Sequence, residues 1–166
     1  MIASDTLVIR EARVEDAEAI SALILSLARY FLADPHQPEA AAAFLATLDP
    51  AAMAQRLADE RYRYHVAEAD GLVAGVVGVR DADHLYHLFV AERFHGRGIG
   101  ARLWDAAQRQ ARAQGNPGRF TVNSSRYAVP VYERMGFTAV DGPQVHDGIA
   151  YLPMRMDRVG APADAG

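Results

Sequence analysis

Short apolar or alternating runs predict strands at Leu7–Glu11, Arg63–Ala69, Leu72–Val79, His84–Val90, Arg119–Asn123, Thr138–Val140 and Ile149–Met156. Between them, apolar residues recur at helical spacing. Asp16–Leu32 places Ile20, Leu23, Ile24 and Leu27 on one side. Pro38 and Pro50 open two further helices, Glu39–Leu48 and Asp49 to about Glu60. A central helix follows Gly100, with Leu103, Ala106, Ala107 and Ala111 on its apolar face, and Arg126–Met135 forms the last helix before Gly136. The Asp70-Gly71 pair tolerates positive φ, so the second and third strands should form a hairpin, and His84–Val90 should extend it into an antiparallel meander. Gly75 and Gly78 fall on opposite faces of the third strand, where glycine marks a bulge, a close approach of another group, or drift in a buried strand.

The organising stretch is Leu85–Trp104, where an apolar strand passes through His95-Gly-Arg-Gly-Ile-Gly100 into a helix. The first amides of a helix lack intrahelical acceptors, and glycines before it let the backbone approach an anion closely. This is a phosphate-binding arrangement. A Walker loop needs Gly-Lys, yet all 17 basic residues are arginine. Gly96, Gly98 and Ala101 satisfy a dinucleotide fingerprint, but the following strand ends in Asn and Ser where that motif requires an acid.

The pattern His95, two residues, Gly98, one residue, Gly100 resembles motif A of the GNAT superfamily of N-acetyltransferases, with His95 where the family carries Gln or Arg. A second block, Thr121–Phe137, resembles the family's next strand, helix and Gly-Phe turn, and the resemblance extends over roughly Leu7 to Asp157. It implies a single α/β (mixed α+β) domain over residues 1–158, with a mostly antiparallel twisted sheet of about six to seven strands and about four helices. Residues 159–166 are expected to be a disordered tail.

The resemblance also implies a site. Acetyl-CoA would be the co-substrate, held by His95, Gly96, Arg97, Gly98, Ile99, Gly100 and Ala101, with help from Arg102, by the backbone of Leu88, Phe89 and Val90, and by Asn123 and Ser125. Tyr132 matches the tyrosine that protonates the departing thiolate; the alternative is a packed helix tyrosine. His84 stands where family members carry a base, against a hydrogen-bonded structural role, and His87 is a weaker candidate. Tyr30, Phe31, Asp34, His36 and Tyr86 are candidate acceptor contacts, against core or solvated-loop roles. The acceptor would be a primary amine on a small molecule or peptide. A protein acceptor and a non-catalytic CoA-binding module are the competing readings, and the family resemblance leaves room for a homodimer.

Composition narrows the rest. At 166 residues, 51% hydrophobic and 23% charged, the chain suits one core. The net charge of −4 and pI near 5.8 disfavour a nucleic-acid surface. With no cysteine, disulfides and thiolate metal sites are excluded and a reducing cytoplasm is expected, while the absence of lysine beside abundant alanine is attributed to a GC-rich bacterial genome. No apolar run reaches a membrane span, no secretory leader is recognisable, and the six histidines have no metal-binding spacing, so neither membrane nor metal is expected.

Overall fold

A computed structural model describes residues 7–158. The expected tail over 159–166 lies outside them. Among the described residues, eight strands form a sheet in the order β1-β2-β3-β4-β5-β8-β6, with β7 paired to β8. They are β1 Val8–Glu11, β2 Tyr62–Ala69, β3 Leu72–Arg80, β4 His84–Val90, β5 Arg119–Ser124, β6 Thr138–Ala139, β7 Gln144–His146 and β8 Ile149–Asp157. All pairings are antiparallel except β4 with β5. The helices are α1 Ala17–Ser26, α2 Ala42–Ala46, α3 Pro50–Leu57, α4 Ile99–Ala113 and α5 Val129–Met135.

The continuous burial of β3 from Ala74 to Val79 reflects layers on both faces of the sheet. On one face, Ile20, Leu23 and Ile24 of α1, with Leu27 just after it, pack with Met53 of α3 and with Tyr64, Val66 and Val76. On the other, Leu103, Trp104, Ala107 and Ala111 of α4 pack with Val77, Val79, Leu85, Phe120 and Phe137. Trp104 meets Phe120 and Phe137 with centroids 4.9 and 5.8 Å away. The two strand glycines mark close approaches. A Cβ on Gly75 would lie 2.9 Å from Leu103 Cδ1, and one on Gly78 would overlap the Tyr64 ring. A register shift against β4 also falls between Gly78 and Val79.

Several expected boundaries move. The first helix stops at Ser26 and not Leu32, because the chain leaves it to bond across the molecule. Phe31 O accepts from Ala150 N (3.3 Å), Ala33 N donates to Gly148 O (2.8 Å), and Leu32 bridges Ile149. Pro38–Ala41 is a 3-10 turn, which shortens the next helix to Ala42–Ala46. Asp49 caps α3 as its sequence suggests, accepting from Ala52 N at 2.8 Å, but α3 ends at Leu57, short of Glu60. The Asp70-Gly71 hairpin forms with φ of 54° and 80°.

Candidate active site

The site follows from one interruption in the sheet. β4 and β5 pair only at His84↔Thr121 and Leu85↔Val122. Beyond that point β4 is paired to β3 alone, through Gly75↔Val90, Val76↔Phe89 and Val77↔Leu88. Its other edge therefore presents N–H and C=O groups with no strand partner. Two cavities occupy the opening, one of about 630 Å³ and one of about 280 Å³, and both are lined by Leu88, Phe89, Ser125, Ala128 and Tyr132.

The larger cavity is bounded by the glycine loop. After a 3-10 turn at Glu92–Phe94, His95 turns back, and its Nε2–H donates to Val90 O at 2.7 Å, tying the loop to the strand end. Gly96 and Gly98 have φ of +79° and +76°, a region costly for any residue with a Cβ. Gly98 is the N-cap of α4, and no side chain caps that end, so the amides of the first turn are free for an anion. Gly100 differs from its two neighbours: it is helical, and a Cβ there would meet only Val90 Cγ2 at 3.9 Å. Its value is open space beside the cavity, not backbone freedom.

The flanking arginines are placed differently from expectation. Arg97 lies over the Phe94 ring at 5.4 Å, while Arg102 is exposed, and neither lines the cavity wall. The arginine that lines this cavity is Arg134, an exposed residue on α5 that motif matching did not single out. Tyr30, read as an acceptor contact, also lines the larger cavity. Its ring sits 4.4 Å from that of Tyr127, and its hydroxyl donates to Glu92, which pairs with Arg29.

The smaller cavity contains the other expected contacts, Phe31, His84, Tyr86, His87 and Asn123. His84 Nδ1 is 2.7 Å from Thr121 Oγ1, and burial, then Arg80, hold its pKa below the usual histidine value. His87 is buried beside the Tyr64 hydroxyl, 2.8 Å from Nδ1, and burial drives its pKa to about 3. It is neutral near pH 7 and is fixed by that bond. Tyr86 packs edge-on against Tyr62, with centroids 5.2 Å apart. His36 and Asp34 are not brought into either cavity: in an exposed turn, His36 N donates to Asp34 Oδ1 at 2.9 Å.

Much of the smaller cavity comes from residues not foreseen as a wall, namely Ile24, Phe44, Leu48, His146, Asp147 and Ile149. The β7–β8 hairpin delivers the last three through an Asp147-Gly148 turn with φ of 51° and 75°. That dipeptide is the same turn signal as Asp70-Gly71.

Tyr132 stands where the cavities meet. Pro130 lies in the first turn of α5, and Gly136 ends the helix at φ +107°, letting Phe137 N donate to Tyr132 O at 3.0 Å. The Tyr132 ring meets Phe137 edge-on at 5.6 Å. It is 6% exposed, and burial raises its phenol well above the ordinary value of 10. The phenol therefore stays protonated, a donor beside both compartments.

Among the described residues, no cluster of three or more His, Cys, Asp or Glu could hold a metal ion, and no helix is long and apolar enough to cross a membrane.

No curated protein matches the chain by sequence. Solved structures do match. A GCN5-related N-acetyltransferase structure from Rhodopseudomonas palustris is 26% identical, with a TM-score of 0.76 over 95% of this chain and 99% of its own. The PaiA N-acetyltransferase of Thermoplasma acidophilum, in complex with coenzyme A, is 14% identical, with a TM-score of 0.74 over 92% of this chain and 99% of its own. A spermidine N-acetyltransferase from Vibrio cholerae is 17% identical, with a TM-score of 0.62 over 92% of this chain and 94% of its own. The model of the acetyltransferase (GNAT) domain matches residues 32–158. With that match and a sheet opened between β4 and β5 beside a glycine-bounded helix start, the chain belongs to the GNAT acetyltransferase family.

Proposed function

We propose that the protein moves an acetyl group from acetyl-CoA to the primary amine of a small molecule or peptide, by direct attack within a ternary complex. The observation that carries this reading is the junction of the two cavities at Tyr132, which lets a thioester and an amine meet. The uncapped amides at the start of α4, with Arg134 in the same wall, suit a pyrophosphate, and Ser125 and the open edge of β4 suit an extended amide-bearing arm. The neighbour from Thermoplasma acidophilum was solved with coenzyme A, which supports the same ligand here.

Acetyl-CoA supplies the activated carbonyl and a thiolate leaving group. The unpaired N–H groups of β4 polarise the carbonyl oxygen. For His84 to accept the amine proton, its ring keeps a hydrogen on Nδ1, donated to Thr121 Oγ1, and turns the free Nε2 toward the cavity. As the amine nitrogen bonds to the carbonyl carbon and the C–S bond breaks, Tyr132 passes its phenolic proton to sulfur. The cysteine-free composition is compatible with work in a reducing cytoplasm.

A broad amine panel, followed by thiol release and by the mass of the product, tests the proposal. Acetylated amine with matching thiol supports it. CoA binding without turnover favours a binding module, and turnover with folded protein substrates alone favours a protein acetyltransferase.

The pH profile tests His84. Its depressed pKa keeps it a free base at pH 7, so the limb of kcat/KM that it controls should lie below pH 6.5 and fall as pH drops. A separate rise toward pH ~10 belongs to the amine itself. His84→Ala should remove the lower limb and cost roughly 10²-fold. Unchanged rate and profile would place the base elsewhere.

A further inference from the structure

The smaller cavity has a charge pattern that discriminates among amines. Ile24, Phe31, Phe44, Leu48, Phe89 and Ile149 make up much of its wall. Phe31 lies edge-on to Phe44 at 6.0 Å and to Phe89 at 5.8 Å, so three phenyl rings are gathered together. Among the described lining residues the sole carboxylate is Asp147. Its side chain is 59% exposed and lies 3.3 Å from His146 Nε2, so solvent screens it. His87, against the same space, is held neutral beside Tyr64.

An ammonium buried here meets no counter-charge of comparable burial. For the reacting amine this is useful, since an apolar wall disfavours the charged form and promotes loss of the proton that must leave before attack. A second ammonium on the same molecule would stay charged and unpaired, at a cost that an apolar body does not incur. The volume of about 280 Å³ lies at the small end for ligand pockets.

Resting on the acetyl-transfer reading, we propose that the cavity takes as acceptor a small apolar monoamine, with an aromatic or branched aliphatic body and one primary amine, and excludes diamines and polyamines. The spermidine enzyme that shares the fold thus differs from this chain in acceptor class.

Two readouts separate this proposal from the reading beneath it. Phenylethylamine, isoamylamine, putrescine and spermidine are titrated calorimetrically into the protein loaded with CoA, and the same amines are assayed for thiol release from acetyl-CoA. The monoamines should lead by on the order of 100-fold in both Kd and kcat/KM. Phe44→Glu adds a carboxylate to a half-buried wall position and should narrow the lead about tenfold, with melting temperature recorded alongside. Equal or tighter binding of putrescine or spermidine by the wild type overturns the proposed acceptor class, whether or not acetyl transfer occurs. A monoamine lead in binding with no thiol release from any amine keeps the ligand class and overturns acetyl transfer.

Discussion

Tyr132→Phe should slow single-turnover acetyl transfer by on the order of 10²–10⁴-fold while the melting temperature changes little. The hydroxyl is all that is lost: the ring keeps its edge contact with Phe137, and Gly136 still closes α5. A phenol raised by burial would be a reluctant acid toward a solvated thiolate, since a simple thiol such as cysteine has a pKa of about 8.5. A sulfur that leaves beside the buried Tyr132 hydroxyl is itself partly desolvated, which raises its basicity and narrows the gap between donor and acceptor. If Tyr132 serves packing alone, activity is retained and any loss follows stability. A stable variant with full single-turnover rate would remove Tyr132 from the mechanism.

Gly98→Val should weaken CoA binding by on the order of 100-fold, measured by calorimetry on protein shown to be folded. At φ +76°, a β-branched residue strains the backbone at the N-cap and turns the first amides of α4 away from a phosphate. Gly100→Ala makes a different prediction. Its helical geometry and the 3.9 Å clearance to Val90 accept a methyl group, so stability should be kept while the methyl takes space beside the loop. Arg102→Ala, on an exposed side chain outside the cavity wall, should have the smallest effect of the three. Unchanged CoA affinity in folded Gly98→Val would contradict the loop assignment.

The parts of this site that depend on local chemistry were legible in the chain. Glycines at 96 and 98 before an amphipathic run announce a strand, loop and helix, and both adopt positive φ. Tyr132 is singled out by its likeness to the family's tyrosine, and the Gly136 cap that ends α5 stands four residues after it. Features set by long-range bonding were not legible. Helical periodicity continues past Ser26, yet the bonds that Phe31 and Ala33 make to the β7–β8 hairpin win, and they direct Phe31 into one cavity and Tyr30 toward the other. His36 lay close to these residues in sequence but was left in an exposed turn. The β7 strand has only three residues, too few for an alternating pattern, although Asp147-Gly148 carried the hairpin signal. Arg134 in the larger cavity had no motif to mark it, since only the packing of α5 decides which way it faces.

Direct transfer within a ternary complex can be tested by rapid mixing, with free thiol and intact protein mass followed together. Mixed with acetyl-CoA alone, the protein should show no thiol burst and no acetyl adduct, in keeping with a chain that has neither cysteine nor lysine. Adding a primary amine acceptor should release thiol and acetylated amine in equal amounts. A stoichiometric burst of thiol before any amine is present, with the protein gaining the mass of one acetyl group, would contradict the account.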